Sequence, residues 1–371
     1  MSAPRVLHIV QSGDRGGVQR HVRDLAIGLA PLTAGVLTGT KGWLVEAVES
    51  ASVSTVLAPS LRRAVNPAAV AAAGAQARRA AAELQATVVH AHGVFALLAA
   101  RSVGHLPLVY TAHGFQWRDP AHPAWLRALS LRVHRQVAPR LAALIAVSEQ
   151  DGQDAARLGL PRERIHQIPN GVPLPAISPA RLPPRVIGTA GRLVQGKNTD
   201  ALFRFLALLP ADVTLWVAGD GPALGDLRQL AADLRLSDRV HWLGWQDDLG
   251  CDFYPGIGVY ATLSRKEGMP YAVLDAMAYG LPVVTSAIPA HQEIVAGSPW
   301  GALVTDGKLG ECVERVMGWL SDAAAWQESC SAARRDAAQR FSADAMLRRT
   351  EAVYRQVLAR QTVSTASSAK D

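Results

Sequence analysis

Two doubly wound α/β domains are what this sequence predicts, and three observations predict them. Short β-branched or apolar runs alternate with longer helical patterns, which implies parallel sheets covered on both faces. The 371 residues are long for one domain and comfortable for two. Between two sets of strands lies Ile168–Arg185, with Pro169, Pro173, Pro175, Pro179, Pro183 and Pro184. Proline at that density blocks helix and central strand alike and marks a connection.

In chain order, the first set of strands is expected at Val6–Val10, Gly35–Leu37, Thr87–Ala91, Leu108–Ala112 and Ala143–Val147. The second set is expected at Val186–Ala190, Val213–Ala218, Val240–Leu243, Ile257–Leu263 and Pro282–Thr285. Helical patterns such as Gln19–Leu29, Pro67–Leu84 and Leu224–Leu234 fall between them. The expected domains are 1–172 and 186–345, joined by a proline-rich linker at 173–185. A helix at 346–360 could pack back on the first domain, and the polar stretch 361–371 reads as a frayed, disordered tail.

Composition narrows the function classes. An apolar content of 49% supports two real cores and excludes a disordered chain. Cys251, Cys312 and Cys330 stand far apart with no C-x-x-C pair, which argues against a disulfide framework or structural zinc and fits a reducing cytosol. Met1–Val10 lacks the apolar core of a secretory signal, and no apolar run is long enough to span a bilayer. The expected location is therefore the cytoplasm. Residues 1–185 carry a net +10 and residues 186–371 a net −3. A basic first half suits an anionic partner: nucleic acid, a phosphorylated ligand or an acidic membrane face. Trp117–Arg140 sets arginines opposite an apolar helical stripe, which suits a membrane surface or a helix docked on its own sheet.

Open parallel sheets bind ligands beyond the carboxyl ends of their strands. Residues at those positions are Gly13–Gly17, His92, His113 and Ser148 in the first half, and Gly191–Lys197, Gly219–Gly221, Gly244–Gln246 and Ser264–Gly268 in the second. Glycines, cations, histidines and one carboxylate gather there, so two such rims facing each other would form an interdomain cleft. The most informative stretch runs from Glu267 through Gly268, Met269, Pro270, Leu274 and Asp275 to Gly280 and Pro282. It reads as a strand end, a glycine turn, and a helix with proline in its first turn and a glycine stop. The helix start, with exposed N–H groups and a positive dipole end, suits a diphosphate. After Gly191, Arg192 and Lys197 would add cations at a strand end, Arg192 as a fork and Lys197 as a point charge. Gly16 and Gly17 let the backbone approach a ligand closely, and His113 could hold a hydroxyl or phosphate and move a proton.

The run from Glu267 to Val284 closely resembles the E-x7-E signature of retaining GT-B glycosyltransferases, in particular glycosyltransferase family 4. Gly191-Arg192-Leu193 with Gly196-Lys197 is similar to the family's G-R-L-x-x-x-K-G segment, with the Lys–Gly order reversed. Thr111-Ala112-His113-Gly114 and the Gly16-Gly17 loop are similar to its first-domain motifs, and Gly219-Asp220-Gly221-Pro222 to its G-x-G-P turn. The last has neither the spacing nor the residues of a dinucleotide fingerprint.

The resemblance implies a GT-B fold of two Rossmann-like domains facing a cleft, the first for the acceptor and the second for a nucleoside-diphosphate sugar. It implies catalytic roles for His113, Glu267, Arg192 and Lys197. Donor binding would fall to Gly16, Gly17, Gly191, Trp245, Gly268, Met269, Pro270, Leu274 and Asp275. Asp275 stands where the family has glutamate. The implied reaction retains anomeric configuration and needs no cofactor and no obligatory metal; the acceptor would be a saccharide, a lipid-linked saccharide or a small hydroxyl compound, as in polysaccharide or glycolipid synthesis. The acidic second half and the lack of an aromatic-basic motif speak against nucleic acid. A GT-B epimerase and a non-catalytic sugar-nucleotide-binding module are the competing readings.

Overall fold

The computed structural model describes residues 3–63, 66–119, 122–176, 182–305 and 308–368. The chain forms two compact units: one reaches Asn170 and resumes at Asp344, the other runs Gly171–Ala343. Residues 177–181 of the proline-rich stretch lie outside the described residues.

The first unit holds strands β1 (Val6–Val10), β2 (Thr33–Thr38), β3 (Thr55–Leu57), β4 (Val88–His92), β5 (Leu108–Ala112), β6 (Leu141–Ala146) and β7 (Ile165–Gln167). They make one sheet in the order β3-β2-β1-β4-β5-β6-β7, with every pairing parallel. The chain winds outward from β1 to β3, then crosses to β4 on the other side, so the switch point lies between β1 and β4. Covered on both faces, these central strands are buried along their whole length, as their near-continuous Val, Ile, Leu and Ala runs require. Leu7, Ile9, Leu37, Val89 and Leu97 belong to the core on one side.

On the other face, Val6, Val88, Val109 and Ile145 pack with Met346, Val353, Tyr354 and Val357 of the last helix, Ala343–Ser368. That helix continues helical to Ser368, well into the stretch whose polarity predicts fraying. Once an anchored helix is nucleated, each added residue brings one more hydrogen bond, so propagation is cheap.

The second unit holds β8 (Val186–Ala190), β9 (Thr214–Ala218), β10 (Val240–Gly244), β11 (Val259–Thr262), β12 (Val283–Ser286) and β13 (Gly301–Val304), in the order β10-β9-β8-β11-β12-β13. All of its pairings are parallel, and its switch point lies between β8 and β11. Phe203, Phe205, Leu215, Val217, Val259, Val284 and Trp319 form its core. Its two chain ends run side by side: Val172 N–H donates to Phe341 O at 2.8 Å and Ala343 N–H to Val172 O at 3.1 Å.

Ten strands sit within two residues of their sequence expectations. The three that periodicity does not reveal, β3, β7 and β13, are three or four residues long and lie at sheet edges. Runs that short hold too little alternation to register, and the ladder beside them decides their conformation.

Candidate active site

In the second unit the two loops that leave β8 and β11 stand on either side of the switch point. They are stitched together by short-range polar contacts. Arg265 N–H donates to Gly196 O at 3.0 Å, Asn198 Nδ2 donates to Leu263 O at 3.0 Å, and Arg265 Nε donates to Asn198 Oδ1 at 3.1 Å. Asn198 holds a left-handed backbone, φ +53°, which asparagine tolerates, and the helix Thr199–Ala207 starts directly after it.

This stitching brings Lys197 to Glu267: Nζ lies 2.6 Å from Oε1, with side-chain exposures of 37% and 14%. The sequence expectation aimed the lysine at a diphosphate and the glutamate at a sugar; the fold makes them partners. Arg192 stands exposed earlier on the loop after β8, and the Lys197–Glu267 ion pair forms without it.

The rim beside this pair is built from backbone. Gly219, φ +151°, sits so close to the loop after β8 that a Cβ would fall 1.9 Å from Gly191 O. Gly219 N–H in turn donates to Gly244 O at 2.7 Å, and Gly191 N–H to Ala218 O at 2.9 Å. The three glycine turns after β8, β9 and β10 therefore lock to one another, which only residues without a side chain allow at the closest point. Trp245, next in line, is 46% exposed and donates from Nε1 to Asp247 Oδ1 at 3.1 Å.

Gly268, Met269 and Pro270 lead into the helix Tyr271–Ala278. Proline was expected inside the first turn; Pro270 instead occupies the N-cap position, extended at φ −77°, ψ 112°. A proline there offers no side-chain acceptor to the first helical N–H groups. Met269 and Leu274 are buried and Asp275 is half-buried. Glu267 belongs to the loop and only Asp275 to the helix. The buried Tyr260 hydroxyl accepts from Ala190 N–H and donates to Ala190 O, tying β11 to β8. Burial raises its pKa first, with further contributions from the charges of Glu267 and Asp275.

In the first unit, Gly16 is the N-cap and Gly17 the first residue of the helix Gly17–Gly28, with no side-chain cap and no acidic residue in the first turn. His113 follows β5 and His92 ends β4, and His92 Nδ1 lies 3.4 Å from His113 Nε2. The next residue, Gly114, donates its N–H to Asp151 Oδ2 at 3.1 Å. Burial holds the Asp151 carboxyl up at about 6, partly offset by the hydrogen bond from Ser148.

Sequence reasoning singled out His113 and His92 but missed what surrounds them. His8 on β1 pairs in register with His90 on β4, and His92 lies two residues on, so all three share one face of the sheet. His8 Nδ1 is 3.3 Å from His92 Nε2, and His90 is held by Tyr354 Oη at 2.6 Å and Thr111 Oγ1 at 2.7 Å. His21, on the first helix, stacks edge-on against His113 with ring centroids 4.7 Å apart. Burial depresses all five imidazoles: His8 to about 3, His21 to about 4, and His90, His92 and His113 well below the ordinary value. The signal available in the sequence was the His90-x-His92 spacing inside an apolar strand; the reach to His8, His21 and Tyr354 had none.

The helix Ala124–Val137 turns Arg127, Arg132 and Arg135 outward together with Trp125, 65% exposed, and Leu129, 42% exposed. Its apolar residues are therefore not confined to the packed face, as the sequence pattern implied. Among the described residues no helix is long and apolar enough to cross a membrane.

Known proteins resemble this chain on both halves. Residues 15–175 match the model for Glycosyltransferase Family 4, and residues 184–322 that for Glycosyl transferases group 1. The chain is 35% identical over 130 residues to the lipopolysaccharide core biosynthesis glycosyltransferase LpsE of Rhizobium meliloti, covering 35% of this chain and 37% of that one. It is 28% identical over 247 residues to the UDP-Gal:alpha-D-GlcNAc-diphosphoundecaprenol alpha-1,3-galactosyltransferase of Escherichia coli, covering 58% and 62%. The matched segments thus span from about a third to three fifths of these relatives' lengths. In fold, the chain is similar to Anabaena HepE, solved with UDP and glucose, at a TM-score of 0.79 and 22% identity, covering 94% of this chain and 98% of that one. It is likewise similar to sucrose-phosphate synthase of Thermosynechococcus elongatus, at a TM-score of 0.80 and 18% identity, covering 96% and 99%.

Proposed function

The chain belongs to glycosyltransferase family 4, with the GT-B fold, and from that premise we propose that it moves a sugar from a nucleoside-diphosphate donor to a hydroxyl acceptor with retention at the anomeric carbon. The observation that carries this reading is the Lys197–Glu267 contact of 2.6 Å between the loops after β8 and β11. A lysine, a glutamate and a helix start at one switch point are the chemistry that a departing pyrophosphate and a hexose require.

In the proposed reaction the donor's nucleotide lies along the glycine turns of the second unit. Its phosphates take Lys197 as a partner in exchange for Glu267, with Arg192 closing from the exposed side. The N–H groups at Tyr271 face the same charge. Glu267, relieved of its ion pair, accepts sugar hydroxyls, and Asp275 accepts those of the ribose. The acceptor oxygen bonds to the anomeric carbon as the bond to the diphosphate oxygen breaks, and that leaving oxygen takes the acceptor's proton on the same face. His113 holds the acceptor or the donor phosphate; neutral in its buried setting, it acts as a hydrogen-bonding group rather than as a cation.

UDP and glucose in HepE, and UDP-Gal in the name of the E. coli relative, support a nucleotide-sugar donor. Lipopolysaccharide core biosynthesis and GlcNAc-diphosphoundecaprenol in the names of two relatives support a saccharide or lipid-linked acceptor. The outward Trp125, Leu129 and arginines support contact with an anionic membrane surface. A thermal-shift panel of UDP-, GDP- and ADP-sugars, followed by labelled transfer to extracted lipid-linked saccharides, tests the reading. Selective stabilisation by one donor with labelled product is expected; a donor isomerised without acceptor, or no donor bound, overturns it.

A further inference from the structure

We infer that His21, His92 and His113 form a three-imidazole site for a divalent transition ion of the zinc class, with its fourth position open to water. The three side chains present one ring nitrogen each within 4.8 Å of one another. Between two of the rings, His92 Nδ1 and His113 Nε2 are 3.4 Å apart. As the edge of a tetrahedron that separation fits well, because metal–nitrogen bonds of about 2.0–2.1 Å place neighbouring ligands about 3.3–3.4 Å apart.

The rings are also held from behind, as ligand imidazoles are. Asn170 Oδ1 accepts from His21 Nδ1 at 3.0 Å, which sets the tautomer and turns the lone pair onto Nε2. His92 Nε2 faces His8 Nδ1 at 3.3 Å, so Nε2–H can donate to His8 and leave His92 Nδ1 as the atom that binds metal. Burial keeps all three rings neutral near pH 7, the form that binds metal. His113 is the partly exposed member and provides the way in.

A second trio, His8, His90 and His92, is equally compact but chemically committed. Both ring nitrogens of His90 are engaged in short hydrogen bonds, 2.6 Å to Tyr354 Oη and 2.7 Å to Thr111 Oγ1, and binding there would break one of them. The site therefore sits at the His113 end of the cluster, on the carboxyl-terminal rim of β4 and β5.

This inference goes beyond the transferase reading, with which it shares His113, and its test is separate because it reads ligand-field absorption rather than sugar transfer. The full chain is dialysed against chelator and titrated with Co²⁺. A visible absorption band of four-coordinate Co²⁺ is expected, saturating at one equivalent and bleached by one equivalent of Zn²⁺. His113→Ala should remove the band while the melting temperature shows the variant folded. Asn170→Ala should weaken binding by about ten- to a hundredfold through loss of ring orientation. His241→Ala, at an exposed histidine elsewhere, should leave the titration unchanged. Absence of the band in the wild-type chain, or its survival at full strength in His113→Ala, overturns the site.

Discussion

Lys197 Nζ lies 2.6 Å from Glu267 Oε1, joining the loops that leave the two innermost strands of the six-stranded sheet. The pair is partly exposed, so its worth to stability is modest, at about 0–1 kcal/mol. Its worth to function is of another kind. In the proposed reaction, the lysine holds the Glu267 carboxylate in place until the donor phosphate takes its side of the contact.

Lys197→Ala should therefore lower kcat/KM by about a hundred- to a thousandfold while unfolding free energy falls by only about 1 kcal/mol. Labelled-sugar transfer and chemical denaturation on the same preparation separate the two effects. Wild-type turnover in that variant would remove Lys197 from the mechanism.

Gly219→Ala attacks the rim instead of the charges. The new Cβ meets Gly191 O at 1.9 Å, on a backbone at φ +151° that side chains avoid. A loss of more than about 2 kcal/mol is expected. A melting temperature equal to that of the wild type would mean that the three glycine turns are not locked as described.

The buried histidines make stability fall on the acid side. Their folded-state pKa values are depressed, to about 3 for His8 and about 4 for His21, so the folded unit binds fewer protons than the unfolded chain below pH 6.5. Their contribution is intact above that pH and is lost as the pH drops towards 4, each depressed group costing up to about 1.4 kcal/mol per pH unit. Asp151, raised to about 6, works the other way, since the fold gains from protonating it. Five imidazoles outweigh one carboxyl. Denaturation at pH 7.5, 6 and 5 should show a steep decline, and a flat profile would contradict the neutral cluster.

Donor affinity offers a milder test. Trp245→Ala, at a side chain 46% exposed, should change stability by no more than about 0.5 kcal/mol. If the indole stacks on the donor base, the KM for donor should rise several-fold, consistent with about 1 kcal/mol or more per stacked base. Asp275→Asn should raise the same KM about tenfold with kcat less affected, because ribose contacts are equal in ground and transition states. Donor KM values unchanged in both variants would move the nucleotide elsewhere on the rim.

Local pattern was enough to read two parallel α/β units, their central strands, and the loops at which function collects. Strand runs, glycine turns and helix periods are written in neighbouring residues, and the family's signature from Glu267 onward is itself one short contiguous stretch. Tertiary structure alone decided the rest. Edge strands β3, β7 and β13 take their shape from the ladder beside them. Lys197 and Glu267, 70 positions apart, meet only because β8 and β11 are adjacent across a switch point. The hydrogen bond between His90 and Tyr354 spans 264 positions. Such pairings are set by sheet order and register, which arise when distant apolar faces pack and leave no trace in the spacing of nearby residues.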